Sequence, residues 1–405
     1  MNIDKSSDKQ KLVLLGASGS IGKQSIDIIR KENQRFDLAA FAVHSSLGYA
    51  YDLACEFKPS CVVIGDKSLK QQKPAILAEL EEFLSSYGAR LLFGTESLAY
   101  LASEEFIEEQ GIDIIINALV GAIGSRASYN ALASKKVRLA LANKESLVVA
   151  GELLMPLSSP ERLLPVDSEH SAIYQCFLGE DPAELKQILL TASGGPFFGK
   201  TKEELLRVSP DQALAHPNWS MGRKISIDSA SLMNKGLEAI EAMHLFDVDI
   251  DKIKILIQRE SIIHSMVEFI DGSIKAHLGP SDMRIPIQFA LSYPKRWDSP
   301  CESLDFAQLA QLNFAEPDLE SFSCLSLALE AAKQKGVLPC IMNAANEVAV
   351  SAFLEKKIGF TQIPELIESC MQSFTPERVQ SLEQLETYDL EARARSRELL
   401  ASLSN

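Results

Sequence analysis

Short apolar runs alternate with amphipathic stretches from Lys11 to Ala142. The runs at 11–15, 38–43, 61–66, 91–94, 113–117 and 137–142 are rich in Val, Ile, Leu and Ala and too short for buried helices, so they predict strands. Between the first two, Ile21, Ile26, Ile28 and Ile29 recur at helical spacing, and a further helix is predicted near 96–109. Strands alternating with helices imply a parallel, doubly wound sheet, in which ligands gather beyond the carboxyl ends of the strands.

The pattern then changes. The apolar strand at Leu189–Ala192 breaks at Gly194-Gly195, and a polar stretch with a short helix near 201–207 runs to Arg223. Alternating strands follow at 254–260, 263–270 and 273–278, the last two joined by Asp271-Gly272, a hairpin signal. These predict a mostly antiparallel sheet. Residues 293–318, rich in Pro, Asp, Ser and Asn, read as a linker, and helical periodicity at 323–335, 340–355, 363–372, 376–384 and 388–402 predicts a helical bundle. The fold class is therefore α/β: an N-terminal Rossmann-like doubly wound sheet, a central α+β region and a C-terminal helical bundle.

With 405 residues the chain is long enough for two or three domains, and a net charge of −15 disfavours a nucleic-acid surface while leaving room for a local cationic pocket. Met1 to Gln10 lacks the apolar core of a signal peptide, and no apolar run reaches membrane-spanning length. Seven widely spaced cysteines without a C-x-x-C point to a reducing, cytoplasmic setting with neither a disulfide framework nor a zinc site.

Candidate chemistry starts at Gly16-Ala17-Ser18-Gly19-Ser20-Ile21-Gly22, a glycine-rich turn between the first strand and its helix. Glycines let a backbone approach a pyrophosphate, and the helix start offers free N–H groups to it. After the second strand stand His44-Ser45-Ser46, where an NAD-specific fold places a carboxylate, so NADPH is expected over NADH. Asn143, Lys144 and Glu145 follow the strand at 137–142, where cofactor and substrate contacts are expected; a plain helix cap is the alternative.

The run Pro165-Val166-Asp167-Ser168-Glu169-His170 carries two carboxylates one residue apart. In extended backbone Asp167 and Glu169 point to one side, and an oxygen-ligated divalent cation offsets their repulsion; a solvated strand end is the plainer reading. A helix is predicted from about Ser229, with Met233, Leu237, Ile240 and His244 on an apolar stripe and Asn234, Glu238 and Glu241 beside it, Lys235 close by. That suits a helix lining a polar cleft, or a surface helix with a Lys–Glu pair. In the polar stretch, His216 and Trp219 suit a segment that closes over a ligand, or a Trp plugging a domain edge. His264 reads as a core histidine.

The glycine turn, Ala142–Ser146, Pro165–His170, Ser193–Phe197, His216–Gly222, Met233–Glu238 and Asn343-Ala344-Ala345-Asn346-Glu347 occur in that order. Together they closely resemble the 1-deoxy-D-xylulose 5-phosphate reductoisomerase family over nearly the whole chain after Lys11. The resemblance implies an NADPH-binding domain over 1–164, a catalytic and dimerisation domain over 165–292 with a flexible loop at about 193–223, a linker over 293–318 and a helical bundle over 319–405. It implies Asp167, Glu169 and Glu238 as ligands of Mg²⁺, Mn²⁺ or Co²⁺. Lys144, Ser168, Glu169, Ser193, His216, Trp219, Ser229, Asn234, Lys235 and Glu238 are the implied substrate contacts, with Lys144, Asp167, Glu169, His216 and Glu238 catalytic. Ser18, Gly19, Ser20, Ile21, Asn143, Glu145 and Gly222 are the implied NADPH contacts. His44, Ser45 and Ser46 stand where many members carry Lys or Arg with Asn, which predicts a softer preference for NADPH.

The implied activity is rearrangement and reduction of 1-deoxy-D-xylulose 5-phosphate to 2-C-methyl-D-erythritol 4-phosphate in non-mevalonate isoprenoid synthesis, by a homodimer that meets neither nucleic acid nor membrane. The alternatives are a plain NADP-dependent dehydrogenase of a small phosphorylated substrate, which needs no three-carboxylate metal site, and a nucleotide-binding sensor that has lost the chemistry.

Overall fold

The computed structural model describes residues 9–219 and 221–403, so residues 1–8, 220, 404 and 405 lie outside the description. The chain forms two compact units, each assembled from separate stretches: 1–143, 157–166 and 283–300 make the first, and 144–156, 167–282 and 301–405 the second.

The first unit holds a seven-stranded sheet of β1 (Gln10–Leu15), β2 (Phe36–Val43), β3 (Cys61–Ile64), β4 (Arg90–Phe93), β5 (Ile114–Asn117), β6 (Arg138–Leu141) and β7 (Leu163–Pro165). All its pairings are parallel, in the order β4-β3-β2-β1-β5-β6-β7. Continuous burial of Leu12–Leu15 and Ile114–Ile116 fits strands covered on both faces. The order reverses between β1 and β5, the position at which such sheets bind ligands. Gly16 leaves β1 there with φ 88°, and a Cβ on it would lie 2.4 Å from the Ala118 carbonyl oxygen. Only glycine fits that crossing.

The second unit holds a five-stranded sheet of β8 (Leu185–Ala192), β9 (Ile253–Gln258), β10 (Ile263–Phe269), β11 (Ile274–Leu278) and β12 (Phe314–Ala315), ordered β11-β10-β8-β9-β12. Only β8 and β9 run parallel. The predicted hairpin joins β10 to β11, with Asp271 accepting from the Ser273 N–H at 2.8 Å. Helices Ser323–Gln334, Leu338–Leu354, Gln362–Met371 and Leu382–Leu403 pack together in this unit.

Several boundaries move from their predicted places. The helix near 96–109 is two, Thr95–Tyr100 and Glu104–Gln110, because the Ser103 side chain caps the second by accepting from the Phe106 N–H. The polar stretch carries two short helices, Lys202–Leu205 and Pro210–Leu214, each opened by a capping box. Helix Arg284–Ser292 packs in the first unit, against the helix Ser20–Lys31, β6 and β7, rather than with the residues before it. The segment 293–318 is folded into both units rather than free: the Trp297 ring meets that of Phe36 at 5.7 Å, tilted by 52°, and Phe314–Ala315 adds an edge strand. No helix forms over 376–381, where the Glu377 carbonyl instead accepts the Val337 N–H at 2.9 Å. No helix among the described residues is long and apolar enough to cross a membrane.

Candidate active site

β7 ends at Pro165, and Asp167 caps the helix Ser168–Phe177, its carboxylate accepting the Glu169 N–H at 3.3 Å. The extended D-x-E expected from the sequence is therefore not present. Asp167 and Glu169 are neighbours because a capping aspartate folds back over the first turn, where free N–H groups and the helix dipole favour carboxylates.

The single helix predicted from Ser229 is also two, Arg223–Ala230 and Met233–Leu245, separated by Leu232 at φ 61°. Ser231 makes the break: its hydroxyl donates to the Asp228 carbonyl at 3.3 Å and accepts the Met233 N–H at 3.4 Å. The predicted stripes survive. Met233, Leu237 and Ile240 are fully buried, and Glu238 and Glu241 on the neighbouring stripe are buried too.

One oxygen each from Asp167, Glu169 and Glu238 lies within 4.8 Å of the others. Two lysines reach this trio. The Lys144 amine stands 2.8 Å from Asp167 Oδ2 and 2.8 Å from Glu238 Oε1, and donates to Asn234 Oδ1 at 2.7 Å. The Lys235 amine donates to Glu169 Oε1 at 2.8 Å and also pairs with Glu238. The Ser168 hydroxyl donates to Glu169, and the Asn234 amide to Glu238. Lys144, Asp167, Ser168, Glu169, Asn234, Lys235 and Glu238 thus form one hydrogen-bonded cluster.

The electrostatics follow from burial and partners. Burial, then the charges of Glu238 and Asp167, push Glu169 up to about 7 against the pull of Lys235. Burial opposes ionisation of Asp167, but Lys144 and His170 outweigh it and hold that carboxyl well below its usual range. Burial likewise opposes the Lys144 charge, and Asp167, Glu238 and Glu241 overcome it. Three convergent carboxylates suit a divalent cation with oxygen ligands.

Ser193 and His216 form a second group, with Ser193 Oγ 2.9 Å from His216 Nε2. His216 Nδ1 accepts the main-chain N–H groups of Asn218 (3.2 Å) and Trp219 (3.0 Å), so the ring is neutral with its proton on Nε2. Burial, then Arg259, push His216 down to about 4. The Trp219 ring is half-buried, 6.2 Å from that of His264. Gly195, at φ 66°, passes so close to the next helix that a Cβ would lie 2.7 Å from the Ser229 carbonyl oxygen. Ser229 itself is buried on that helix.

In the parallel-sheet unit, Ser18, Gly19, Ser20 and Ile21 lie at the turn after β1. Gly19 opens the helix Ser20–Lys31 without a side-chain cap, which leaves its first N–H groups free for an anion. His44, Ser45 and Ser46 are exposed after β2. Asn143 is buried, its amide donating to the Leu119 and Gly121 carbonyls at 2.9 and 3.0 Å, which pins the loop after β5. Glu145 and Gly222 belong to the other unit: Glu145 pairs with Lys224 at 2.7 Å, and Gly222 precedes the helix Arg223–Ala230.

Family models cover most of the chain: "1-deoxy-D-xylulose 5-phosphate reductoisomerase" matches residues 12–151, the C-terminal domain of that name matches 163–246, and "DXP reductoisomerase C-terminal domain" matches 278–395. The chain belongs to the 1-deoxy-D-xylulose 5-phosphate reductoisomerase family. The reductoisomerase of Clostridium tetani is 45% identical over 380 residues, covering 93% of this chain and 96% of its own. The solved reductoisomerase from Zymomonas mobilis in complex with NADPH is 41% identical, with a TM-score of 0.86 over 97% of this chain and 99% of its own. A second solved reductoisomerase, in complex with NADPH, fosmidomycin and magnesium, is 38% identical, with a TM-score of 0.89 over 98% of this chain and 99% of its own.

Two residues of this chain stand beside the cluster without having been singled out from the sequence as site residues. His170 is fully buried; its Nε2 donates to the Glu238 carbonyl at 2.9 Å, and its Nδ1 faces Asp167 at 3.4 Å and Glu241 at 3.3 Å. Burial would lower its pKa, but Glu241 and Asp167 raise it to about 9. Burial pushes Glu241 up to about 8 against the pull of His170. A histidine directly after D-x-E and a glutamate three residues beyond Glu238 were the available signals. Arg259, which donates to the Ser193 and Gly195 carbonyls, had no such signal.

Proposed function

We propose that this chain converts 1-deoxy-D-xylulose 5-phosphate to 2-C-methyl-D-erythritol 4-phosphate, using NADPH and a divalent cation, as a cytoplasmic homodimer. The observation that carries the reading is the convergence of Asp167, Glu169 and Glu238 with Lys144 and Lys235. Hydride transfer alone needs no such trio, which favours rearrangement plus reduction over a plain dehydrogenase.

Asp167, Glu169 and Glu238 would hold Mg²⁺, Mn²⁺ or Co²⁺, which when bound polarises a ketone and lowers the pKa of a neighbouring hydroxyl. Ser18–Ile21, His44–Ser46 and Asn143 of the parallel-sheet unit would hold NADPH, which when bound would supply the hydride. Lys144, fixed between Asp167 and Glu238, donates a hydrogen bond to a substrate oxygen beside those carboxylates. Ser193, His216, Ser229, Asn234 and Lys235 bind the substrate's phosphate and hydroxyls. Because His216 is held neutral, its Nε2–H serves as a donor and adds no charge. The 193–223 segment carries Trp219 over the bound substrate and excludes water from the reactive aldehyde. Binding energy at the phosphate, away from the reacting carbons, aligns them for the rearrangement.

The test is NADPH oxidation with 1-deoxy-D-xylulose 5-phosphate, with and without EDTA, and identification of the product. Substrate-dependent oxidation that EDTA abolishes, with the branched product formed, is expected. Oxidation that survives EDTA, or a product with an unrearranged skeleton, would leave a bare dehydrogenase.

A further inference from the structure

The motif Asn343-Ala344-Ala345-Asn346-Glu347 takes no part in the cluster above. It lies in the helix Leu338–Leu354, and its fully buried Asn346 donates from Nδ2 to Asp228 Oδ1 at 2.9 Å. Asp228 Oδ2 stands 2.9 Å from the Lys224 amine, which also donates to Glu145 Oε1 at 2.7 Å. Asp228 and Glu145 are buried, and the Lys224 side chain is only 18% exposed. Glu347 continues the line to Arg393 of the last helix at 2.6 Å, and Arg393 is gripped by Asp389 at 2.7 Å.

We infer that Lys224 is a positioning residue that ties the end of the 193–222 loop to the helix start bearing Lys144, and that Asn346 of the helical bundle holds it there. The inference rests on the functional reading above for what the loop and Lys144 do.

Three observations support it. Lys224 is the second residue of the helix that begins directly after Gly222, so its amine fixes the chain just downstream of His216 and Trp219. Its partner Glu145 is the immediate neighbour of Lys144, which contacts Asp167, Glu238 and Asn234. Buried ion pairs contribute little net stability compared with apolar packing, so a chain of buried polar groups is better accounted for by the geometry it imposes. Glu145 remains ionised for the same reason: burial opposes its charge, and Lys224 overcomes that. The bundle thereby acquires a role besides packing, since the carboxylate that orients Lys224 is itself oriented from Asn346.

The test uses the full chain. In Asn346→Ala, hydrogen exchange of peptides within 205–219 is expected to quicken at least about fivefold while exchange in β1 and β5 stays as in the wild type, and KM for 1-deoxy-D-xylulose 5-phosphate to rise about tenfold with a smaller change in kcat. The charge-balanced pair Lys224→Met with Asp228→Asn is expected to do the same more strongly, and it decides the matter if Asn346→Ala does not fold. Lys224→Arg, which keeps a cation at Glu145, is expected to recover part of the KM. Wild-type exchange and KM in both variants, or exchange quickened evenly over the whole chain, would overturn the inference. If the wild type itself does not act on 1-deoxy-D-xylulose 5-phosphate, the functional reading fails, and the local exchange pattern still decides whether Lys224 anchors the loop.

Discussion

His170 Nε2 lies 2.9 Å from the carbonyl oxygen of Glu238, so one imidazole joins the helix that Asp167 caps to the backbone of the helix bearing Glu238. Its Nδ1 meanwhile faces Asp167 at 3.4 Å. A ring held on both sides fixes how far apart two of the three carboxylates stand. Replacing His170 with Asn is expected to weaken divalent-cation binding about 10- to 100-fold, the usual cost of losing a group that orients metal ligands. Mn²⁺ titration followed by electron paramagnetic resonance measures it; wild-type affinity would mean the ring only fills space.

Glu238 answers to both lysines, and it is the second-largest cause, after burial, of the raised pKa of Glu169. Glu238→Gln removes one donor of the trio and leaves the parallel-sheet unit untouched. Turnover is expected to fall below detection while NADPH affinity stays within about twofold of wild type, because the two sites draw on different residues. A normal metal-dependent rate in this variant would remove Glu238 from the proposed ligand set.

The pH dependence of stability has a definite sign. Glu169 (about 7) and Glu241 (about 8) have folded pKa values above those of free carboxyls, and His170 (about 9) lies above a free imidazole. Each group binds its proton more tightly in the folded chain, so each contributes stability at low pH that is lost as pH rises through its folded pKa. The loss from the two glutamates starts near pH 4.5, but His216 and His244, held at about 4 chiefly by burial, gain stability up to about pH 6.5, so without added metal thermal stability is expected to decline from about pH 6.5 to about pH 9. A divalent cation competes with the Glu169 proton, so its stabilising effect is expected to grow over the same rise in pH up to about 7 and then level off. Melting curves at pH 5.5 and 8, with and without Mg²⁺, test both; a metal effect larger at pH 5.5 would contradict the assignment of Glu169 as a ligand.

Much of this was legible in the sequence, for reasons that differ by region. Leu12–Leu15 of β1 and Ile114–Ile116 of β5 are apolar runs buried throughout, too short for a buried helix. Taken alone, the runs that carry Asp167, Glu169 and Glu238 also read as a solvated strand end or a surface helix; these carboxylates were nameable as candidate ligands because the runs resemble the family's motifs. Their geometry was not: a capping aspartate and a strand-end aspartate look alike until the backbone after Val166 turns. The break at Leu232 was hidden for a similar reason, since Ser231 competes for main-chain groups only through its own rotamer. The ties of His170 to Glu241 and of Asn346 to Asp228 join residues remote in the chain, and neither local propensity nor periodicity registers such pairs.

Trp219 offers the sharpest separation of binding from chemistry. Its indole ring is half-buried and meets the His264 ring at 6.2 Å, whereas its main-chain N–H is what holds His216 Nδ1. Trp219→Ala therefore deletes the apolar cover but keeps the hydrogen bond that orients His216 toward Ser193. An indole that shields a substrate contributes roughly 1.5–3 kcal/mol through area removed from water, equivalent to about 10- to 100-fold in affinity. KM for 1-deoxy-D-xylulose 5-phosphate is expected to rise by that factor, kcat to fall less, and Trp219→Phe to keep most of the affinity. Steady-state kinetics decide it: if both constants are unchanged in Trp219→Ala, the ring serves only the packing against His264 and is no cover for the substrate.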